Sequence, residues 1–175
     1  MPKKKSTHYV DNEELVKEIM SHKARCAEAD EKEEPKPQMT DALGSMILEI
    51  ATRFAYRPNF INYSYRDEMI LDGVENCLTY ITNFDTAKST NAFAYVTQII
   101  YYAFLRRIKK EKKQTYIKFK AYEKHGIHNM YSDVKDMYGD PDAAENHYRK
   151  HIGISEKDID SFNEETKKKP KKGKK

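Results

Sequence analysis

Six histidines, two cysteines and 28 acidic residues are the groups from which a metal site or an acid–base pair would have to be built. His147 and His151 stand four apart, the spacing that puts two imidazoles on one helix face. No third ligand of a suitable type lies near them, and a zinc site needs three or four. His125 and His128 meet the same objection. Cys26 and Cys77 are far apart and form neither a CxxC pair nor a disulfide framework, which fits a reducing compartment. There is no GxxxxGK[ST] phosphate loop and no GxGxxG turn. The carboxylates around Asp72 have no substrate pocket suggested beside them and read as an interaction face or a solvated one. The expectation is a protein without enzymatic activity, cofactor or metal.

One pattern does carry chemistry. From Asn91 onward, Phe93, Val96, Ile100, Ala103, Phe104 and Arg107 recur on one helical face. The other face carries Tyr95, Gln98, Tyr102, Leu105, Arg106, Lys109 and Lys113: aromatic and amide groups first, then cations. Cations neutralise phosphate, and aromatic rings stack on unpaired bases at about 1–3 kcal/mol each. A basic solvated face whose tyrosines serve a second packing surface fits the same pattern.

The elements that position this face are read from apolar spacing. Met69, Ile70, Gly73, Val74, Cys77, Leu78 and Ile81 fill one arc of a preceding helix. Glu68, Leu71, Asp72, Glu75, Thr79 and Thr82 fall on its other side. Phe84-Asp85 stops that helix, and Lys88 to Asn91 is a polar loop rich in capping residues. Upstream, Thr40 or Asp41 caps a helix with Leu43, Met46, Ile47, Ile50, Ala51 and Phe54 in register. Asp11 or Asn12 caps an earlier one running to about Ala29. Its stripe of Leu15, Val16, Ile19 and Met20 is narrow and predicts weak docking. Pro35 and Pro37 interrupt helix formation between the two. Phe60, Ile61, Tyr63 and Tyr65 form an aromatic connection. Downstream, Pro141 starts a helix that stops at Gly153, and Ser155 with Asp158 resembles a capping box. A short helix is also allowed between Ile127 and Gly139.

Charge is segregated along the chain. Arg106 to Lys124 holds nine Lys or Arg against two Glu, and seven lysines follow Thr166. With net +7 in each of these stretches and +4 in the whole chain, the remaining residues sum to −10. An acidic body and a basic helix suit two different partners. Mean hydropathy is −0.93, so the core must be small. No apolar run approaches the ~20 residues that cross a bilayer, and no signal-type segment is seen. The organisation expected is a basic segment, helix and linker over 1–39, a helical domain over 40–125, a short-helix extension over 126–166 and a disordered lysine tail over 167–175.

At this point the residues are similar to a known family. Asp72-Gly73, then Phe84-Asp85, then Phe93-Ala94-Tyr95-Val96, then Ala103-Phe104-Leu105-Arg106 resemble region two of bacterial sigma factors, without a gap. The segment Ala94-Tyr95-Val96-Thr97-Gln98, Phe104 to Lys112, and Tyr9 to Leu15 look similar to the late-gene sigma factors of T-even-type tailed phages. The resemblance covers roughly the first 120 residues. It implies an all-α, compact bundle of region-two type with flexible extensions at both ends, acting in the cytoplasm of an infected bacterium.

The resemblance implies roles as well. Glu68, Leu71, Asp72, Val74 and Leu78, with Glu75 beside them, would bind a coiled coil of the largest subunit of core RNA polymerase. Tyr95, Gln98, Ile99, Tyr101, Tyr102, Leu105 and Arg106 would face the −10 element of an A/T-rich late promoter, with Tyr95 and Tyr102 holding extruded bases. Lys109, Lys110, Lys112 and Lys113 would bind backbone phosphate. Primary sigma factors carry two tryptophans where this chain has Gln98 and Ile99. No −35-reading domain is expected. In the phage branch a DNA-loaded sliding clamp and a co-activator assist, and Ile159 and Phe162 are the nearest match to the clamp-binding peptide. Two other readings stay open: a helical DNA-binding accessory protein without promoter specificity, and a polymerase-binding regulator that does not read promoters.

Overall fold

The computed structural model describes residues 9–125 and 141–168. The expectations for 1–8, for a short helix within 127–139 and for 169–175 lie outside those residues; Lys167 and Lys168, expected in the disordered tail, instead end the last helix. The described residues form six α-helices and no strand, so the all-α class holds. In chain order they are α1 (Asn12–Glu31), α2 (Asp41–Ala55), α3 (Arg66–Tyr80), α4 (Ala92–His125), α5 (Pro141–Ile152) and α6 (Glu156–Lys168), with a 3₁₀ turn at Ile81–Asn83. The chain divides into two compact units, one up to Arg107 and one from Ile108, so α4 contributes to both. The division falls inside a helix, which apolar periodicity cannot signal.

The first unit is a helical bundle. Leu15 and Ile19 of α1, Leu43, Ile47, Ile50 and Phe54 of α2, Met69 and Cys77 of α3, and Val96, Ile100 and Phe104 of α4 are all buried. Phe54, Phe60 and Phe104 meet at ring centroids 5.2–5.7 Å apart, an aromatic cluster where the connection after α2 folds back. A Cβ on Gly73 would lie 3.2 Å from Phe104 Cε1 and 3.3 Å from Ile100 Cγ2, so the glycine permits the close approach of α3 to α4. Leu78, placed by periodicity on the apolar arc, is 52% exposed; the arc is narrower than its composition suggests.

α1 is more firmly seated than its sequence indicates. His22, Cys26 and Ala29 continue the buried row of Leu15 and Ile19, while Met20 is exposed and Val16 half-buried. A histidine and two small residues do not register as an apolar stripe. Several caps settle the open alternatives. Asp11 Oδ1 accepts the amide of Glu13, and Thr40 Oγ1 accepts that of Leu43 while its hydroxyl donates to Glu18 Oε2 at 2.7 Å. Asn12 serves another helix: its Oδ1 accepts the amide of Phe93, and Asn91 Oδ1 accepts that of Ala94. Two orphan donors of α4 are thereby satisfied, one of them from 81 residues away. The end of α1 is closed without glycine. Glu33 stands at φ 55, and the amide of Glu34 donates to the Ala29 carbonyl at 2.9 Å.

Among the described residues of the second unit, Phe119, Ile154 and Ile159 form a buried cluster against which Tyr116, Tyr148 and Ile152 pack. Tyr122 and Tyr148 stack at 4.0 Å, and the Arg149 guanidinium lies 5.1 Å from the Phe119 ring centre. Gly153, at φ +70, closes α5 where the sequence places its stop. The Ser155–Asp158 capping pair forms: Ser155 Oγ accepts the Asp158 amide and donates to Asp158 Oδ2 at 2.7 Å.

Candidate functional site

α3 turns an exposed row of alternating character to solvent. Glu68, Leu71, Glu75 and Leu78 follow at steps of three, four and three, the spacing of a coiled-coil seam. Leu71 is 66% exposed and Leu78 52% exposed. Nothing in the first unit's core needs them. Val74 is half-buried at the edge of this row.

Asp72 differs from its neighbours. Its two carboxylate oxygens accept from Nε and Nη2 of Arg107 at 2.6 and 2.7 Å. The pair is partly shielded, with side chains 28% and 17% exposed, and it fastens α3 to α4. One turn on, Arg106 donates to Asn76 Oδ1, whose amide nitrogen donates to the Asp72 carbonyl at 2.6 Å. Sequence reasoning put Arg107 on the buried face and Asp72 on the acidic face without joining them.

On α4, Gln98, Tyr101, Tyr102, Leu105 and Arg106 are exposed and Ile99 is half-buried. Tyr102 is 50% exposed. Tyr101 is split in role: its ring edge meets Phe54 and Phe60 at 6.3 Å, and it also lies 5.6 Å from Tyr102. Tyr95 is held more tightly than an unoccupied stacking residue would be. Its hydroxyl donates to the Tyr80 carbonyl at 2.7 Å, its ring tilts onto Phe84 at 5.3 Å, and burial pushes its phenol above the ordinary 10.0. Beside it opens a cleft of about 260 Å³ lined by Asn83, Asp85, Lys88, Asn91, Tyr95 and Gln98. The cleft offers amide donors and acceptors, the Lys88 ammonium, the Asp85 carboxylate and the rings of Phe84 and Tyr95.

In the second unit Lys110 and Lys113 are exposed, whereas Lys109 and Lys112 are paired. Lys109 Nζ lies 2.7 Å from Glu165 Oε1, and Lys112 Nζ 2.8 Å from Asp158 Oδ1. Asp158 is thereby held below the ordinary carboxylate range, its hydrogen bonds to Lys112 and Ser155 outweighing the opposing effect of burial. Ile159 and Phe162 do not form an accessible peptide: both are buried, with Phe162 against Tyr116 at 5.3 Å. With α6 packed, these side chains are spent on the unit's own core and do not stand open to a clamp.

Among the described residues no group of three or more His, Cys, Asp or Glu could hold a metal, and His147 and His151 are both exposed. Cys77 is buried, and desolvation pushes its thiol up to about 12. No described helix is long and apolar enough to cross a membrane. No protein-family profile matches this chain, and comparison with curated proteins found no match.

Proposed function

We propose that this protein is a sigma-type initiation factor that docks on bacterial core RNA polymerase through α3 and meets a −10-type promoter element with α4, in the cytoplasm of an infected bacterium. The observation that carries the reading is the exposed row Glu68, Leu71, Glu75 and Leu78. Two leucines left in solvent between carboxylates at coiled-coil spacing fit a helical partner that offers apolar knobs and cations. Asp72 belongs to this face but acts through Arg107, keeping the docking helix in register with the helix that would face DNA.

On α4, Tyr102 is the accessible stacking ring, and the cleft beside Tyr95 suits an unpaired base. Flipping is least costly at weakly stacked A/T-rich steps. Tyr95 then acts as a wall of that cleft instead of a mobile clamp. Lys110 and Lys113, with Lys109 and Lys112 when these are released, supply phosphate contacts. A sliding clamp and a co-activator are further partners on this reading; while α6 is packed, Ile159 and Phe162 are not open to a clamp.

The test is co-elution with sigma-free bacterial core polymerase, comparing wild type with Leu71→Arg and Glu75→Arg. Both positions are exposed, so the fold survives the change; Asp72→Arg would break the bridge to Arg107 and confuse the two effects. Co-elution of wild type alone supports the reading, and Tyr102→Ala should then weaken open-complex formation more than polymerase binding. Failure of all three proteins to co-elute, with DNA still retained, favours the accessory DNA-binding alternative.

A further inference from the structure

The two lysines engaged by α6 belong to the set expected to meet phosphate. α6 holds five acidic residues in thirteen positions, Glu156, Asp158, Asp160, Glu164 and Glu165. Two of them carry the contacts to Lys109 and Lys112. The same helix also engages the aromatic part of α4: Asn163 Oδ1 accepts the Tyr116 hydroxyl at 2.7 Å, and the Phe162 ring lies against Tyr116. The contact is therefore matched to a cationic and aromatic surface in both of its chemistries. It is also a light one. The ion pairs are half-exposed, and exposed pairs are readily screened or exchanged.

We propose that α6 is an intramolecular competitor for nucleic acid: Asp158 and Glu165 stand where phosphates would bind Lys112 and Lys109, and a polyanion must displace them. This rests on reading α4 as a nucleic-acid-facing helix. A carboxylate offers the ammonium the same charge-assisted hydrogen bond as a phosphate oxygen, so displacement exchanges like for like. DNA held by other groups raises the local phosphate concentration and tips the exchange. Loose DNA is bound weakly, and DNA delivered by a partner is bound fully.

The experiment uses the full chain and fluorescence anisotropy of a labelled mixed-sequence duplex and its single strand, titrated over salt. Asp158→Asn/Glu165→Gln should bind about 3- to 10-fold tighter than wild type, with a salt slope steeper by about 1–2, as expected for two freed phosphate contacts. The control Asp160→Asn/Glu28→Gln makes the same change in net charge at exposed positions outside these pairs. The gain should exceed the control's and vanish when Lys109→Ala/Lys112→Ala is added. Equal gains in both double variants overturn the competition while leaving DNA binding intact. Absence of DNA binding by every protein overturns both this inference and the reading of α4. Hydrogen exchange on wild type guards against a variant that merely unfolds. Amides of residues 156–168 should exchange faster when DNA is bound, and unchanged protection overturns the proposal.

Discussion

The bundle that ends at Arg107 and the assembly that begins at Ile108 are stabilised by different means. The first buries side chains from four helices, among them Leu15, Leu43, Ile47, Ile100 and Phe104, each fully enclosed. The second encloses Phe119, Ile154 and Ile159 and adds Lys109–Glu165 and Lys112–Asp158 at its surface. Apolar burial gives about 25 cal/mol per Å² and is not screened by salt, whereas exposed pairs give roughly 0.2–1 kcal/mol and fade with it. The first unit carries the exposed row of α3 and the aromatic face of α4. The second carries the half-exposed ion pairs that, on the proposal above, a polyanion would exchange.

The largest break in this comparison is Phe104→Ala. It removes a ring from the aromatic cluster and should cost about 3–5 kcal/mol, seen as a lower urea midpoint for the first unit. Phe119→Ala removes a ring from the core that Ile154 and Ile159 share in the second unit. Protection from hydrogen exchange should vanish across α6 while residues up to Arg107 keep theirs. Loss of protection in both units from either change would mean that they unfold as one.

Asp72→Ala comes next. It leaves a shielded Arg107 guanidinium without its bidentate partner, at about 2 kcal/mol in the urea midpoint of the first unit. A change below half a kcal/mol would show that water replaces the carboxylate at little cost.

Acid should separate the regions in sequence. Burial, with Arg25 beside it, holds His22 below its ordinary 6.5 in the folded protein. The unfolded chain therefore takes up that proton first, and the first unit loses stability as pH falls from about 6.5 toward the lowered value. His22→Gln should flatten that dependence. Asp158 is a depressed carboxyl, so its contribution is complete above 3.8 and is lost as pH falls below it. Urea midpoints for the first unit, and exchange protection of α6 for the second, read the two windows. The smallest effect is Glu33→Gly, which should stabilise α1 by about 0.5–1 kcal/mol by relieving a left-handed side-chain-bearing residue.

Much of this arrangement was legible in the chain itself. Period and punctuation placed α2, α3, the start of α4 and α5, because an amphipathic stripe is written in consecutive residues. Gly153 and the Ser155–Asp158 pair announced the α5–α6 junction for the same reason. The two faces of α4 were also separable: Val96, Ile100, Ala103 and Phe104 went inside, and Gln98, Tyr102 and Leu105 stayed out. What the sequence by itself determined was thus local: which helices form, where they are capped and which charges and rings lie on one side of each. Only the tertiary structure decided who meets whom. Asn12 caps α4 across 81 positions, Arg107 closes on Asp72 across 35, and Glu165 reaches Lys109 across 56. Ile159 clusters with Phe119, 40 positions away, and Phe162 packs on Tyr116, 46 positions away. Pairing between remote polar groups leaves no period in either segment, because it depends on how packed helices bring their surfaces together, and that is settled by the whole core at once.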